Sequence, residues 1–341
     1  MVRARKTRLA DVAARAGVSR TTASYILNGR SGEMRLSDDA VARVRAAAVE
    51  LDYRPNRAAR SLRTSQTRTV GLVSDSVASG HFASRMLTGA SAAARESDHV
   101  LLIGETDGDP LVERLLVEQM LDQGVDGIVY ATLRHREVAV PAALRQTRTV
   151  LLNCADPASG LPAVVPDEHG GGRRAADLVA GVAGPVVVVG DDHEQGTHAG
   201  AMRLAGLEEQ LAARGREVAD VLRCDWSVAG AREAVTSWWG TGVRNGALVC
   251  MNDRVAMGVY QALTAREAAI PGAFAVVSFD GSELATWLTP ALTSVALPFA
   301  ELGATAVRLL LDPPPGASRT VRLEMPVVHG GSVPASAAVT R

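Results

Sequence analysis

Between residues 20 and 25, the stretch RTTASY has side-chain types and spacing that could contact nucleic acid. A planar Arg guanidinium can donate two hydrogen bonds to a guanine edge, a contact worth about 1–3 kcal/mol of discrimination between bases. Hydroxyl groups suit phosphate oxygens, which position a helix on a duplex without reading its sequence. We therefore predict base contacts from Arg20, Thr21 and Tyr25 and phosphate contacts from Thr22 and Ser24. The alternative is an ordinary helical hairpin with solvated Arg and Tyr side chains.

A second candidate contact lies in the stretch NRAARSLR, residues 56–63. Pro55 interrupts the chain, and Asn56 can cap a helix of about seven residues. Isolated helices need about 12–15 residues in water, so this segment requires a partner to fold. Its arginines, beginning with Arg57, make phosphate a suitable partner, and Leu62 could wedge between base steps in the minor groove. The alternative is a flexible basic linker.

A third group of polar side chains follows short β-rich runs later in the chain. Asp75 follows TVGLVS, Asn252 and Asp253 follow ALVCM, and Asp280 ends FAVVSFD. In open α/β sheets, ligands bind at the carboxyl ends of the strands. These residues are therefore candidates for hydrogen bonds to a small ligand. They could instead be helix N-caps (Asn252, Asp253) or a turn residue before Gly281 (Asp280).

The elements that must position the first group form a helix-turn-helix pattern. In LADVAARAGVSRTTASYILNG, residues 9–29, apolar residues recur at helical spacing up to Gly17, which can adopt a left-handed conformation and end the helix. Ser19 is a suitable N-cap for a second helix, residues 20–28. Two short helices joined by such a turn form this motif. A third helix capped by Ser37 follows.

Charge separates the beginning of the chain from the remainder. Residues 1–68 contain fifteen Lys and Arg against six Asp and Glu, whereas the whole chain of 341 residues has a net charge of −1. A basic segment on an acidic remainder favours contact between the segment and a polyanion. The remainder alternates buried apolar runs of four to six residues with helical segments, which predicts βαβ units and parallel sheets. The fold class is thus α/β with an all-α N-terminal head.

Several other functions lack their sequence signals. No apolar run approaches the ~18 residues of a membrane span, and the basic N-terminus is not followed by a signal-peptide pattern, so we expect a cytoplasmic protein. Three separated cysteines without a CxxC pair argue against a disulfide frame or zinc site. The two histidines of HEQGTH lack zincin spacing, and neither a P-loop nor GxGxxG is present. We expect neither enzyme activity nor a cofactor or metal.

The head sequence resembles the DNA-binding head of the LacI/GalR (lactose-repressor) family of bacterial transcription regulators. LADVAARAGVSRTTASYILNG and RVRAAAVELDYRPNRAARSL carry this resemblance almost without gaps. It implies that Arg20, Thr21 and Tyr25 read bases and that residues 56–62 form a hinge helix with Leu62 in the minor groove. Tyr25 stands where many members carry Arg, so the operator sequence cannot be copied from them.

The remainder resembles the two-lobed periplasmic-binding-protein-like body of the same family. The matching segments are MRLAGLEEQL, DWS, MNDRVAMGVYQAL, VVSFDG and PALTSVALPFAELGATAVRLLL. The family architecture implies a head at 1–64 with a hinge helix at 56–63, followed by a body at 69–341. One lobe would comprise 69–166 and 297–325, and the other 167–296 and 326–341.

The resemblance also implies an effector site in the cleft between the lobes. Its expected contacts are Arg203, which could fork onto two hydroxyls or a carboxylate, Asp280 as an acceptor, Asn252 as donor and acceptor, and Trp226 as a flat apolar face. Phe82 and Asp167 are further candidates. The variant DEHGGGRR at the first lobe crossing, residues 167–174, departs from the family pattern.

Together these features predict a DNA-binding transcription regulator, most simply a repressor, that binds a pseudo-palindromic operator as a homodimer. The first candidate effector is a sugar or sugar phosphate, and a nucleobase or nucleoside is the second. A regulator of the same fold that acts as an activator, and a sugar-binding protein without a DNA role, are the alternatives.

Overall fold

In a computed structural model of the chain, residues 7–32, 34–53, 66–77, 84–190, 198–316 and 319–335 are described. The chain divides into two units, Met1–Thr67 and Arg68–Arg341, which we call the head and the body.

Small apolar side chains hold the head together. Its described helices are α1 (Leu9–Ala16), α2 (Arg20–Leu27) and α3 (Asp38–Glu50). Gly17 adopts φ 65° at the end of α1, and the Ser19 hydroxyl accepts a hydrogen bond from the Thr22 amide at 3.0 Å at the start of α2. The helix-turn-helix prediction is therefore confirmed. The buried core consists of Val12, Ala13, Ala16, Ala23, Ile26, Val44 and Ala47.

The body contains two six-stranded sheets. The first has the strand order β11-β5-β4-β3-β1-β2, and all its neighbouring strands are parallel. Its strands are β1 (Thr69–Ser74), β2 (Val100–Glu105), β3 (Gly127–Glu137), β4 (Thr149–Ala155), β5 (Ala163–Pro166) and β11 (Thr320–Leu323).

The second sheet has the order β12-β10-β9-β8-β6-β7, with only β12 antiparallel to its neighbour. Its strands are β6 (Val186–Val189), β7 (Val218–Leu222), β8 (Gly246–Cys250), β9 (Phe274–Asp280), β10 (Thr293–Ala296) and β12 (Val327–Val328). The α/β fold class with parallel sheets is confirmed.

Helices follow most strands, as expected of βαβ units. They are α4 (Ser84–Glu96), α5 (Pro110–Asp122), α6 (Ala142–Arg145), α7 (Glu168–Val179), α8 (His198–Ala212), α9 (Val228–Trp238), α10 (Asp253–Thr264), α11 (Leu284–Trp287) and α12 (Phe299–Leu311).

The chain passes between the sheets three times. After β5 in the first sheet it builds the second sheet through β10, then returns with α12, which packs on β3, β4 and β5, and with β11. It ends in the second sheet at β12. Within the described part of the chain, no helix is both long and apolar enough to span a membrane.

Candidate functional sites

The exposed side of α2 forms a concave surface in the head. The concavity, ≈ 470 Å³ in volume, is lined by four of the five residues predicted to contact DNA in this helix. Arg20 and Thr21 are exposed, and Tyr25 is partly buried beneath the Arg30 guanidinium, whose central carbon lies 5.4 Å from the ring centroid. The lining residues are Leu9, Arg20, Thr21, Ser24, Tyr25, Asn28 and Arg30.

Thr22 is placed differently from the other predicted residues of α2. It does not line the concavity, and its hydroxyl lies 2.8 Å from that of Ser19 at the helix N-cap. Asn28, which was not predicted, donates a side-chain hydrogen bond to the Ser24 carbonyl at 2.6 Å and lines the same surface. The predicted contacts Asn56, Arg57 and Leu62 lie outside the described residues.

Arg203 lies at the centre of a buried polar cluster in the body. It projects from α8 and donates from Nε to Glu168 Oε2 at 2.6 Å and from Nη1 to the Met251 carbonyl at 2.6 Å. Both charged side chains are 2% exposed. The rings of Trp226 and Phe279 flank the guanidinium at 5.5 and 4.7 Å from its central carbon. The guanidinium is therefore held by the protein itself.

Two glycines bring the helices that carry this ion pair together. A Cβ at Gly172 of α7 would lie 2.1 Å from the Arg203 carbonyl oxygen, and one at Gly206 of α8 would lie 2.0 Å from the His169 carbonyl oxygen. Any side chain at either position would push the helices apart. The close approach places Glu168, the first residue of α7, beside Arg203.

Glu168 is a site residue that the sequence analysis missed. Burial by itself raises the pKa of its carboxyl, but the charge of Arg203 and hydrogen bonding to its side chain outweigh burial, so the pKa lies below its usual value. His135, from β3, places Nδ1 3.6 Å from Glu168 Oε1, and its ring stands edge-on to His198 at 5.2 Å. The only sequence signal was the unusual DEHGGGRR variant, which does not indicate a partner.

Asp280 ends β9 with φ 106°, a left-handed conformation that costs free energy in a residue with a side chain. Burial raises the pKa of its carboxyl to about 8. The charge of Arg203 opposes this shift, whereas the charges of Asp253 and Glu168 add to it. A carboxyl with this pKa is largely protonated at neutral pH and can then donate as well as accept a hydrogen bond.

Asn252 and Asp253 have structural partners at the start of α10. Asn252 is buried, and its Oδ1 accepts the Val255 amide at 2.8 Å as the N-cap. Asp253 is fully buried and accepts hydrogen bonds from the hydroxyls of Ser278, Ser282 and Ser294. The capping alternative thus describes Asn252, while Asp253 ties α10 to β9 and β10.

The remaining predicted effector contacts are dispersed. Trp226 donates its indole N–H to the Gly190 carbonyl and faces Arg203. Asp167 caps α7 by accepting the Gly170 amide at 3.1 Å, and Phe82 lies outside the described residues. Arg203 faces the Trp226 ring, acts on the Asp280 carboxyl and donates to the carbonyl of Met251, which precedes Asn252, whereas Asp167 lines a cavity that includes none of these four residues.

Asp167 and Glu168 line a separate cavity of ≈ 330 Å³. Its other walls come from β3, β4, β5, β11 and the start of α8, and its polar lining includes His135, His169 and His198. Among the described residues, no cluster of three or more His, Cys, Asp or Glu side chains could hold a metal ion.

Sequence comparison relates both units to known proteins. Residues 8–56 match the family described as bacterial regulatory proteins, lacI family, and residues 183–333 match the periplasmic binding protein-like domain. The ribose operon repressor of Escherichia coli (strain K12) is 30% identical over 312 residues, which cover 88% of this chain and 91% of that protein. Catabolite control protein A of Streptococcus mutans is 28% identical over 311 residues, with 88% and 89% coverage.

Solved structures share the fold along nearly the whole chain. The Lac repressor bound to ONPG in the repressed state has a TM-score of 0.79 at 24% identity, covering 96% of this chain and 100% of that one. A complex of the transcriptional regulator CelR with cellobiose has a TM-score of 0.62 at 25% identity, again with 96% and 100% coverage.

Proposed function

Because this chain belongs to the LacI family of bacterial regulatory proteins and is a transcriptional repressor, we propose that it acts in the cytoplasm as a homodimer on a pseudo-palindromic operator and that a small molecule controls its operator affinity. Members of the family bind operator DNA and small-molecule effectors and form dimers. The relatives that identify the family are repressors and not enzymes.

The concavity on α2 is the observation that carries the DNA-binding proposal. It gathers two guanidiniums, the hydroxyls of Thr21 and Ser24 and the aromatic ring of Tyr25 on the accessible side of the second helix of a helix-turn-helix, the side that enters the major groove in such motifs. In this proposal Arg20, Thr21 and Tyr25 contact base edges, while Ser24 and Thr22 contact phosphates. Asn56, Arg57 and Leu62 would contact DNA at the minor groove, as part of a helix that folds on binding.

Apolar side chains at one edge of the first sheet support a dimer. The edge strand β2 exposes Val100 and Ile103, and α5 exposes Leu111 and Leu115, which lie one helical turn apart. An uncovered edge strand with apolar side chains is prone to pairing, and a second copy of the chain would cover it. Dimerisation would also present two heads to two operator half-sites.

For the effector we propose a sugar, bound between the two sheets of the body by Arg203, Asp280, Asn252 and Trp226, with Phe82 and Asp167 as further contacts. Relatives named for ribose and a structural neighbour with cellobiose support this class. Asp280 and Asn252 lie at the carboxyl ends of β9 and β8, where ligands of α/β sheets bind. Binding would shift the lobes and change operator affinity by a coupling free energy of about 1–3 kcal/mol.

The test begins with selection of duplexes from a random pool by the full-length chain. Fluorescence anisotropy with the selected duplex should show sequence-specific affinity that falls steeply with salt, because phosphate contacts release counterions. Sugars and nucleosides are then screened for a change in that affinity. Absence of salt-sensitive, sequence-specific binding contradicts the DNA proposal, and a response to nucleosides alone contradicts the sugar proposal.

A further inference from the structure

Among the described residues, Arg203 is the only fully buried arginine at the proposed effector site. The carboxylate of Glu168 already compensates its positive charge. Arg203 is 2% exposed, its Nε and Nη1 are occupied by Glu168 and the Met251 carbonyl, and two aromatic rings pack against it. A ligand phosphate or carboxylate would therefore have to compete with Glu168 for this cation.

Two other guanidiniums near the carboxyl ends of the strands also face carboxylates. Arg136 of β3 lies 3.3 Å from Asp75, which follows β1 and also accepts the Leu133 amide at 2.8 Å. Arg254 of α10 is close enough to Asp280 for its charge to lower the pKa of that carboxyl. Each of these cations thus has an acidic neighbour.

Carboxyl groups surround the cations at the site, although that of Asp280 is largely protonated at neutral pH. Arg203 and Arg254 oppose Asp280, Asp253 and Glu168 within one electrostatic neighbourhood. Asp253 is held by serine hydroxyls rather than by a cation. An anionic ligand at Arg203 would meet a positive charge that Glu168 already compensates, so its desolvation would be poorly repaid. Hydroxyl groups, by contrast, can both donate to and accept from a carboxyl such as that of Asp280.

We propose that the Glu168–Arg203 pair selects an effector without a negative charge: an uncharged polyhydroxy compound, and not a sugar phosphate or sugar acid. This inference rests on the proposed function, since it concerns the same effector site. It assigns Glu168 the role of a specificity-determining residue that acts through Arg203.

The experiment measures thermal unfolding of the full-length chain, with inorganic phosphate against chloride at matched ionic strength, and D-ribose against D-ribose 5-phosphate. Glu168→Gln removes the matching charge with little change in shape. Glu209→Gln, at a half-exposed position on α8, is the control for net charge. Arg203→Lys in the Glu168→Gln background tests whether any phosphate effect arises in the body rather than at the basic head.

For the natural chain we expect no saturable stabilisation by phosphate beyond that of chloride, and no greater stabilisation by ribose 5-phosphate than by ribose. Glu168→Gln should bind phosphate at least tenfold more tightly than the natural chain, Glu209→Gln should not, and Arg203→Lys should abolish the gain.

Two outcomes overturn the proposal: phosphate or ribose 5-phosphate stabilises the natural chain through Arg203, or a folded Glu168→Gln gains no phosphate affinity. If Glu168→Gln does not fold, the measurements on the natural chain decide. Operator binding is read separately by anisotropy, so a failure of the DNA proposal is distinguishable from a failure of charge selection.

Discussion

The head and the body place their charged groups in opposite environments. In the head, Arg15 pairs with Glu50 at 2.9 Å with both side chains more than half exposed, and Arg20 is exposed beside the concavity of α2. In the body, Arg203 and Glu168 pair at 2.6 Å with both side chains 2% exposed. The same chemical pair is thus a weak surface contact in one unit and a buried structural element in the other.

This difference determines what a substitution can report. An exposed group can be removed with little effect on folding, because water replaces its partner, so its loss reports binding. A buried charge cannot be removed alone, because its partner stays behind without solvation. Substitution of Arg203 alone therefore confounds effector binding with folding, whereas substitution of Arg20 does not.

The largest expected effect is that of Glu168→Ala, which leaves the Arg203 charge buried without a partner. We expect it to destabilise the body by about 3–5 kcal/mol, whereas Arg15→Ala in the head should cost less than about 1 kcal/mol. Tryptophan fluorescence during urea unfolding measures the first, because all four tryptophans lie in the body. Amide hydrogen exchange of α1 and α3 measures the second.

The double variant Glu168→Met/Arg203→Met sharpens this result. It removes both charges while keeping apolar volume, so most of the stability lost in Glu168→Ala should return. If Glu168→Ala unfolds at the same urea concentration as the natural chain, the pair is not a structural element of the body and the contrast between the units fails.

Arg20→Ala should have an intermediate effect, confined to DNA. We expect a loss of about 1–3 kcal/mol of discrimination at one operator position, because one bidentate base contact disappears. Competition anisotropy with single-base operator variants measures it, and urea unfolding should be unchanged. A uniform loss at all positions would mean that Arg20 contacts phosphate and does not read a base.

Ser19→Ala should destabilise α2 by about 1 kcal/mol, since the Thr22 amide loses its N-cap acceptor. Faster hydrogen exchange within residues 20–27 is the measurement, and Ser31→Ala, in the turn after α2, is the matched control. Equal exchange in the two variants would contradict a capping role.

The most gradual effect concerns pH and Asp280. Because the folded carboxyl has a pKa of about 8, above its ordinary value of about 3.9 in an unfolded chain, the folded state binds more protons between these values. Its contribution to stability is complete below pH 4 and is lost as the pH rises through 8. Asp280→Asn should therefore show a flatter decline of body stability between pH 5 and 8 than the natural chain, as measured by urea unfolding. Parallel curves would show that Asp280 titrates normally.

Local sequence patterns predicted the elements of both units. Gly17 and Ser19 set the turn of the helix-turn-helix because a left-handed glycine and an N-cap serine act on their immediate neighbours. The β-rich runs predicted parallel strands because buried strands read as apolar runs. The exposed residues of α2 could be predicted in the same way, since helical spacing alone decides which side chains share a face.

Tertiary structure alone decided the partners of the buried polar groups. Arg203 and Glu168 are 35 residues apart, and they meet because Gly172 and Gly206 let α7 and α8 approach closely. Asp253 accepts hydrogen bonds from the hydroxyls of Ser278, Ser282 and Ser294, which lie on later segments of the chain. Periodicity and capping reflect interactions between residues a few positions apart in the sequence. The ionisation of a buried group and its availability for ligand binding depend instead on what the fold packs against it.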